Sequence, residues 1–257
     1  RHPQPKQKCH RSSLDSKPLP FFAREPFMRT LALLGLGLLA PAAHAFDLSV
    51  DAYYTADASV RAEDRDTDNT LKLDEGSGEG VRLVAWPENS PVFFSAELAN
   101  VRDAESDFQI AGATFTETAR YQQIRAGMGV INRSAFYTRF EVVRSDLRSE
   151  RRDAATLFVA STQRESTGLA ALVGIAGALH SRVLGSIEVG YQDLDLLEDN
   201  DDEAQEFGRG FIGTARVDVP VHSRIQIFGE YRFQQARNDN LQTELSEARI
   251  GVRFNVL

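Results

Sequence analysis

Residues 247–257 read Glu-Ala-Arg-Ile-Gly-Val-Arg-Phe-Asn-Val-Leu, with Ala248, Ile250, Val252, Phe254 and Val256 alternating with Arg249, Gly251, Arg253 and Asn255. A period of two is the mark of a β-strand with one apolar face. Residues 225–236 repeat the pattern: Ile225, Ile227, Gly229, Tyr231 and Phe233 oppose Gln226, Phe228, Glu230 and Arg232. Working back from there, the same alternation appears in 47–60, 79–86, 92–101, 119–131, 135–148, 168–179, 183–192 and 207–219. The segment 168–179 is the weakest, because Leu169, Leu172, Val173 and Ile175 are apolar on both phases. The spacing therefore predicts an all-β chain of ten strands. Eight is the alternative, through 149–179, where Thr156–Ser161 can extend a strand or form a short helix.

The phase opposite the apolar one is ionic and balanced. It carries Asp51, Asp57, Glu97, Glu141, Glu188, Asp218 and Glu230 against Arg82, Arg125, Arg139, Arg216, Arg232, Arg249 and Arg253, with Tyr53, Phe93, Tyr137, Gln226 and Phe228 among them. A closed interior must pair its charges, because an unpaired buried charge is expensive. The connections alternate strictly in length. Short ones lie at 87–91, 132–134, 180–182 and 220–224, and long ones at roughly 61–78, 102–118, 149–167, 193–206 and 237–246. In an up-and-down antiparallel barrel, this puts every short turn at one end and every long loop at the other, as in transmembrane barrels with periplasmic turns and extracellular loops. Segments of this length suit tilted membrane strands. The chain also ends within its last alternating segment. Aromatic residues near segment ends suggest interfacial girdles: Trp86, Phe93 and Phe136 by the short turns, and Tyr54, Tyr191 and Phe233 toward the long loops. A soluble β-barrel with a dry apolar core and solvated charges has the same periodicity and remains the alternative.

The 257-residue chain holds 29 Lys and Arg against 37 Asp and Glu, and its only cysteine is Cys9. Met28 opens a three-part leader: basic Arg29, an apolar run from Leu31 to Ala40, and Ala43-His44-Ala45. That is the layout of a signal peptide cleaved before Phe46. Residues 1–27 are expected to be an upstream extension without a fold of its own, and 46–257 the barrel. That part has 22 basic and 35 acidic residues, a net charge of −13, which disfavours nucleic acid as a partner. Without cysteine it has no disulfide, thiolate nucleophile or Cys-based metal site.

The leader, the rhythm of turns and loops, and the ending Arg249-Ile250-Gly251-Val252-Arg253-Phe254-Asn255-Val256 together resemble small outer-membrane β-barrel proteins of Gram-negative bacteria, the porin-like β-barrel family. The resemblance implies outer-membrane location and insertion by the barrel-assembly machinery, with Gly251, Phe254 and Val256 as the insertion signal. Many relatives end on an aromatic residue where this chain has Leu257. The expected partners are outer-membrane lipid and, from the acidic charge of the long connections, lipopolysaccharide, and the chain is expected to be a monomer.

Signals for chemistry are sparse. After the leader only His180 and His222 remain, both in short turns, so a general base with a pKa near 7 is missing from strands and long loops. Residues 193–206 hold eight acids and no base. Asp199, Asp201, Asp202 and Glu203 are weak candidates for a divalent cation, but the Gly-containing calcium-loop spacing is absent. Glu63, Asp64, Asp66, Asp68, Asp74, Glu75 and Glu79 against Arg61, Arg65 and Lys72 make the first long connection acidic too. Three Gly-x-Gly pairs, at 78/80, 127/129 and 208/210, have no helix behind them to cradle phosphate and read as relief of crowding in curved strands. The reading is a non-enzymatic, cofactor-free outer-membrane barrel. It acts in surface interaction or envelope integrity through acidic extracellular loops. The alternatives are a narrow channel for small solutes or ions, and a soluble periplasmic ligand-binding barrel.

Overall fold

The computed structural model describes residues 46–64, 69–110, 113–153, 155, 159–197 and 207–256. Residues 28–45, expected to be a leader, and 1–27, expected to be an extension, lie outside the described residues. Ten strands follow one another: Phe46–Asp64 (β1), Asn69–Pro87 (β2), Val92–Ile110 (β3), Ala113–Ile131 (β4), Phe136–Asp153 (β5), Val159–His180 (β6), Val183–Asp193 (β7), Arg209–His222 (β8), Ile225–Arg237 (β9) and Leu241–Asn255 (β10). Each pairs antiparallel with its neighbour in sequence. β10 returns to β1, from Ser49↔Asn255 to Asp64↔Leu241, so the sheet closes into a barrel without an edge. Ten strands, not eight, form because 136–180 supplies two complete ones, with 149–153 ending β5 and 159–161 opening β6: Arg152 of β5 pairs with Val159 of β6, and Phe136 with Ile175.

The faces are inverted relative to a soluble barrel. Val81, Phe94, Met128, Phe140, Ile187 and Ile250 point outward, with Phe140 64% and Ile250 56% exposed. Asp51, Glu97, Arg125, Glu230, Arg232 and Arg249 are buried inside. This overturns the soluble-barrel alternative. An exterior so apolar is stable against lipid, and the closed ladder satisfies the backbone groups that lipid cannot.

Most strands run further than alternation predicts, nearly always toward the long-connection end. β1 and β2 stay paired to Asp64↔Asn69, and β3 and β4 to Ile110↔Ala113. The ladder needs only backbone groups. It therefore continues where the outer face turns polar and the period-two signal stops. Among the described strands, β7 and β8 are the pair still separated by a long stretch, 194–208. It is anchored at its base by Asp195, whose carboxylate accepts from the amides of Phe207 (3.1 Å) and Gly208. Gly208 has φ +81°, a left-handed conformation suited to glycine.

Bulges change the phase within strands. The register shifts between Thr55 and Asp57 in β1, and again in β3 between Val101 and Ala104. One inserted residue turns a strand over. Beyond the β1 bulge, Ala58 and Val60 therefore face inward and Asp57 faces out. The expectation of Asp57 on the ionic face is corrected on that ground. Two girdle assignments change as well. Trp86 and Phe93 point into the lumen, packed 5.8 Å apart, because they share the inward phase of Arg82 and Glu97, the phase on which the alternation also sets Phe93. Phe136, Tyr54 and Tyr191 face outward.

Candidate functional site: the barrel lumen

Period-two geometry sends every second side chain of each strand to the axis, so the lumen is built in layers. At mid-height lies the ionic layer, in two groups. In the larger, Arg82 donates through Nη1 and Nη2 to Glu230 (both 2.8 Å) and through Nε to Glu97 (3.0 Å). Glu97 also accepts from the Tyr53 hydroxyl (2.7 Å), Arg232 (2.9 Å) and Arg249 (2.8 Å). Asp51 bridges Arg216 (2.6 Å) to Arg253 (2.6 and 2.9 Å), and Arg216 continues to Asp218. In the smaller group Arg125 binds Glu141 (3.0 Å), and Arg139 lies between Glu141 (3.3 Å) and Glu188 (2.6 Å). The structure thus places Asp51, Arg82, Glu97, Arg125, Arg139, Glu141, Glu188, Arg216, Asp218, Glu230, Arg232, Arg249 and Arg253 inside the barrel. Rings join the guanidinium groups: Arg216 stacks 3.7 Å over Phe228, and Arg249 4.7 Å over Tyr53.

One member was not named from the sequence. Glu247 is buried and takes Arg249 Nη2 at 2.5 Å. It replaces Asp57 and keeps seven acids against seven arginines. Its inward phase is shared with Arg249 and Arg253. The signal was present, but the segment boundary fell on it.

Four lumen aromatics fill space above glycines on the paired strand. Tyr53 opposes Gly80, Phe93 opposes Gly129, Tyr137 opposes Gly174 and Phe228 opposes Gly251. A Cβ on Gly80 would stand 2.2 Å from the Tyr53 ring, and one on Gly129 2.3 Å from Phe93. Each ring thus occupies the volume its partner lacks, a device that also pins register. Gly251 therefore has a packing role of its own. Phe254 and Val256, named with it as an insertion signal, face outward.

Toward the long-connection end the lumen turns first amide-rich, then apolar. Gln123, Gln192 and Gln234 surround Arg125, with Gln123 donating to the Ser145 hydroxyl (3.0 Å). Beyond them Val60, Leu73, Val101, Val143, Leu194 and Ile212 belong to one buried cluster inside the barrel, with Phe207 of the 194–208 connection. The sequence reading missed this apolar stopper. Part of it comes from strand turned inward by the bulges.

Other expected features can be placed. Outside the lumen, Arg61 pairs with Glu63 (3.2 Å), Lys72 with Asp74 (2.9 Å) and Arg102 with Glu79 (2.6 Å), so these acids are locally balanced. Asp66, Asp68, Asp199, Asp201, Asp202 and Glu203 lie outside the described residues. Among the described residues no group of three or more metal-ligating side chains is found. His180 and His222 sit at short turns, beside the hydroxyls of Ser181 (3.1 Å) and Ser223 (3.3 Å). Among the described residues no carboxylate is hydrogen-bonded to either ring.

A closed ten-strand up-and-down barrel with an apolar outer belt and an ionic interior is a transmembrane barrel of the outer-membrane type, and the outer membrane is where such a surface resides. Comparison with solved structures agrees on the fold. The chain is similar to the outer membrane protease OmpT from Escherichia coli, with 6% identity over 81% of this chain and 96% of that one and a TM-score of 0.51. It also matches Ail, the attachment invasion locus protein of Yersinia pestis, at 12% identity over 81% and 99% of the two chains (TM-score 0.41). A third match is the transport unit of the autotransporter AIDA-I from Escherichia coli, at 8% identity over 81% and 90% (TM-score 0.43). No protein-family model matches the sequence, and no curated protein does.

Proposed function

We propose that the protein is a non-enzymatic outer-membrane barrel that acts at the cell surface, in adhesion or envelope integrity, through the hairpins and the 194–208 connection at its long-connection end. The observation that carries this reading is the filled lumen. An ionic layer and an apolar stopper lie in series inside the barrel. Ten strands enclose little more than packed side chains, which argues against a diffusion pore. Meanwhile β1 to β6 continue as paired hairpins well past the apolar belt, a scaffold for contacts outside the lipid. The short turns then face the periplasm, as is usual for this architecture. Lipopolysaccharide is the natural neighbour of the outer half of the belt, and the barrel-assembly machinery inserts the chain.

Two measurements test the reading. In planar bilayers the purified protein is expected to give no discrete conductance steps; regular steps would instead favour the narrow channel. Cells expressing the chain are expected to differ from cells expressing a variant with 196–206 replaced by a short Gly-Ser linker, in surface attachment or detergent sensitivity. Identical behaviour in both assays would overturn the surface role.

A further inference from the structure

The lumen is not filled equally at its two ends. At the short-turn end a cavity of about 430 Å³ remains below the ionic layer. This is within the usual size of small-molecule sites, which occur in the mouths of barrels. One wall is aromatic: Trp86, Phe93 and Tyr137, with Phe93 5.8 Å from Trp86 and 6.1 Å from Tyr137. Another consists of small residues at the ends of β6 and β7, including Ala176 and Ser186. The inner boundary is formed by Arg82, Arg139, Arg216, Arg232 and Arg253, with Glu188, Asp218 and Glu230.

The charges do not present themselves evenly. Within the ionic layer the most exposed side chains are Arg253 (21%) and Arg139 (13%), while no carboxylate exceeds 9%. Asp51, Glu97 and Glu141 stand behind the arginines, so the layer is balanced overall but turns its positive side to the cavity. Polar capacity is also left over just beneath this wall. Thr214 Oγ1, Gln226 Oε1, and Nε and Nη1 of the buried Arg232, all residues of the lining, have no hydrogen-bond partner among the described residues. Buried donors and acceptors are rarely left unmatched.

We infer that this cavity is a binding site for a small amphipathic anion: an aromatic or short-chain carboxylate or phosphate that enters from the short-turn side. Its charged head would meet Arg253 and Arg139, and its apolar body would lie against Trp86, Phe93 and Tyr137. The site does not depend on the proposed surface role, since it opens at the opposite end of the barrel.

Trp86 is the only tryptophan of the chain and lines the cavity, so its fluorescence reports occupancy directly. The experiment uses protein extracted from the outer-membrane fraction of cells expressing the chain, held in a non-ionic detergent. It is titrated separately with phenylacetate, phenethylamine and acetate. A saturable change is expected with phenylacetate, at least tenfold weaker with acetate, and none with the amine. Ala176→Phe fills the cavity from the small-residue wall without touching a charge and should weaken phenylacetate binding at least tenfold. Arg253→Gln, checked for folding by its mobility in cold SDS, should do the same. A non-saturating response that is equal for amine and carboxylate would reveal partition into detergent and overturn the site. So would binding undiminished in Ala176→Phe. Acetate binding as tightly as phenylacetate would overturn the role of the aromatic wall. If Arg253→Gln fails to fold, the comparison of carboxylate with amine on the unaltered protein still decides the charge preference.

Discussion

Replacing Glu97 by glutamine tests whether the ionic layer holds the barrel together. The amide is nearly the same shape, so the perturbation is almost purely one of charge. Glu97 is buried and receives Arg82, Arg232, Arg249 and the Tyr53 hydroxyl within 3.0 Å. At an effective dielectric of about 20, each arginine contact at roughly 4 Å between charge centres is worth about 4 kcal/mol before desolvation. Three of them far exceed the several kcal/mol spent in burying the carboxylate. Removing it leaves three guanidinium groups sharing Glu230 and Glu247, and turns an amide N–H toward donors. Breaking a buried pair costs about 3–5 kcal/mol, and that is the loss of unfolding free energy expected for Glu97→Gln. The double variant Glu97→Gln/Arg232→Met removes the excess charge together with the arginine that depends most on Glu97. It should fall short of the summed single effects by about 2 kcal/mol or more. Urea unfolding in phosphatidylcholine bilayers, followed by Trp86 fluorescence and cold-SDS mobility, measures all three. If Glu97→Gln lies within about 1 kcal/mol of the unaltered protein, or the double variant is additive, the layer does not stabilise the barrel and the reasoning fails.

Gly80→Val should evict the Tyr53 ring, whose atoms lie 2.2 Å from the new Cβ, and cost about 1–3 kcal/mol in the same unfolding assay. Ala52→Cys/Val252→Cys joins direct partners across the closing seam, and the chain has no other cysteine beyond Cys9. Oxidation should yield a cross-linked species with altered mobility on a boiled, non-reducing gel, and unaltered mobility would mean that β1 and β10 do not meet in this register. Ile250→Arg places a charge in the apolar belt and should cost about 2–4 kcal/mol. Asp57→Arg, on an exposed position, should stay within about 0.5 kcal/mol. A large loss at Asp57 would return it to the ionic layer.

Strand number, order and mean phase were legible because lipid imposes a strict alternation wherever a strand crosses it. The ending from Ala248 to Val256 and the segment around Tyr231 carry the pattern with little interference. The signal fades for physical reasons. Above the belt both faces of a hairpin are polar, so the ladder persists to Asp64 and Ile110 with nothing in side-chain polarity to mark it. The bulges leave no clear trace either. Ala58 and Val60 continue the apolar phase of Val50 and Ala52 on paper, and only the inserted residue turns them inward. Glycine does not flag these irregularities: the left-handed residues are Asp103 at the β3 bulge and Glu75 in β2, where the register with β1 shifts between Ala58↔Gly76 and Val60↔Leu73. The arginines and carboxylates of the lumen could be named from phase alone. Their partners are only half legible: Arg82 faces Glu97 and Asp51 faces Arg253 along the ladder, but Arg82 also meets Glu230 across the barrel. The cavity at the short-turn end was equally hidden, because its aromatic wall depends on Trp86, read as an interfacial residue, facing in beside Phe93.

The two ways of filling the lumen differ in when they become available to a folding chain. Tyr53 and Gly80, Phe93 and Gly129, Tyr137 and Gly174, and Phe228 and Gly251 belong to strands consecutive in sequence, so a single hairpin can seat its own ring. Some ionic contacts, such as Arg82 with Glu97 and Arg125 with Glu141, also close within one hairpin, but others join residues far apart: 135 positions from Arg232 to Glu97, 148 from Arg82 to Glu230, and 202 from Arg253 to Asp51. Asp51 and Arg253 meet only when the last strand finds the first. Until then Asp51 lacks Arg253 and Glu97 lacks Arg249, so the ionic layer is only partly paired and that face must stay wet. The final pairing therefore releases water and completes the neutralisation of the interior. The seam between β1 and β10 becomes the last part to form and, once joined, among the hardest to open.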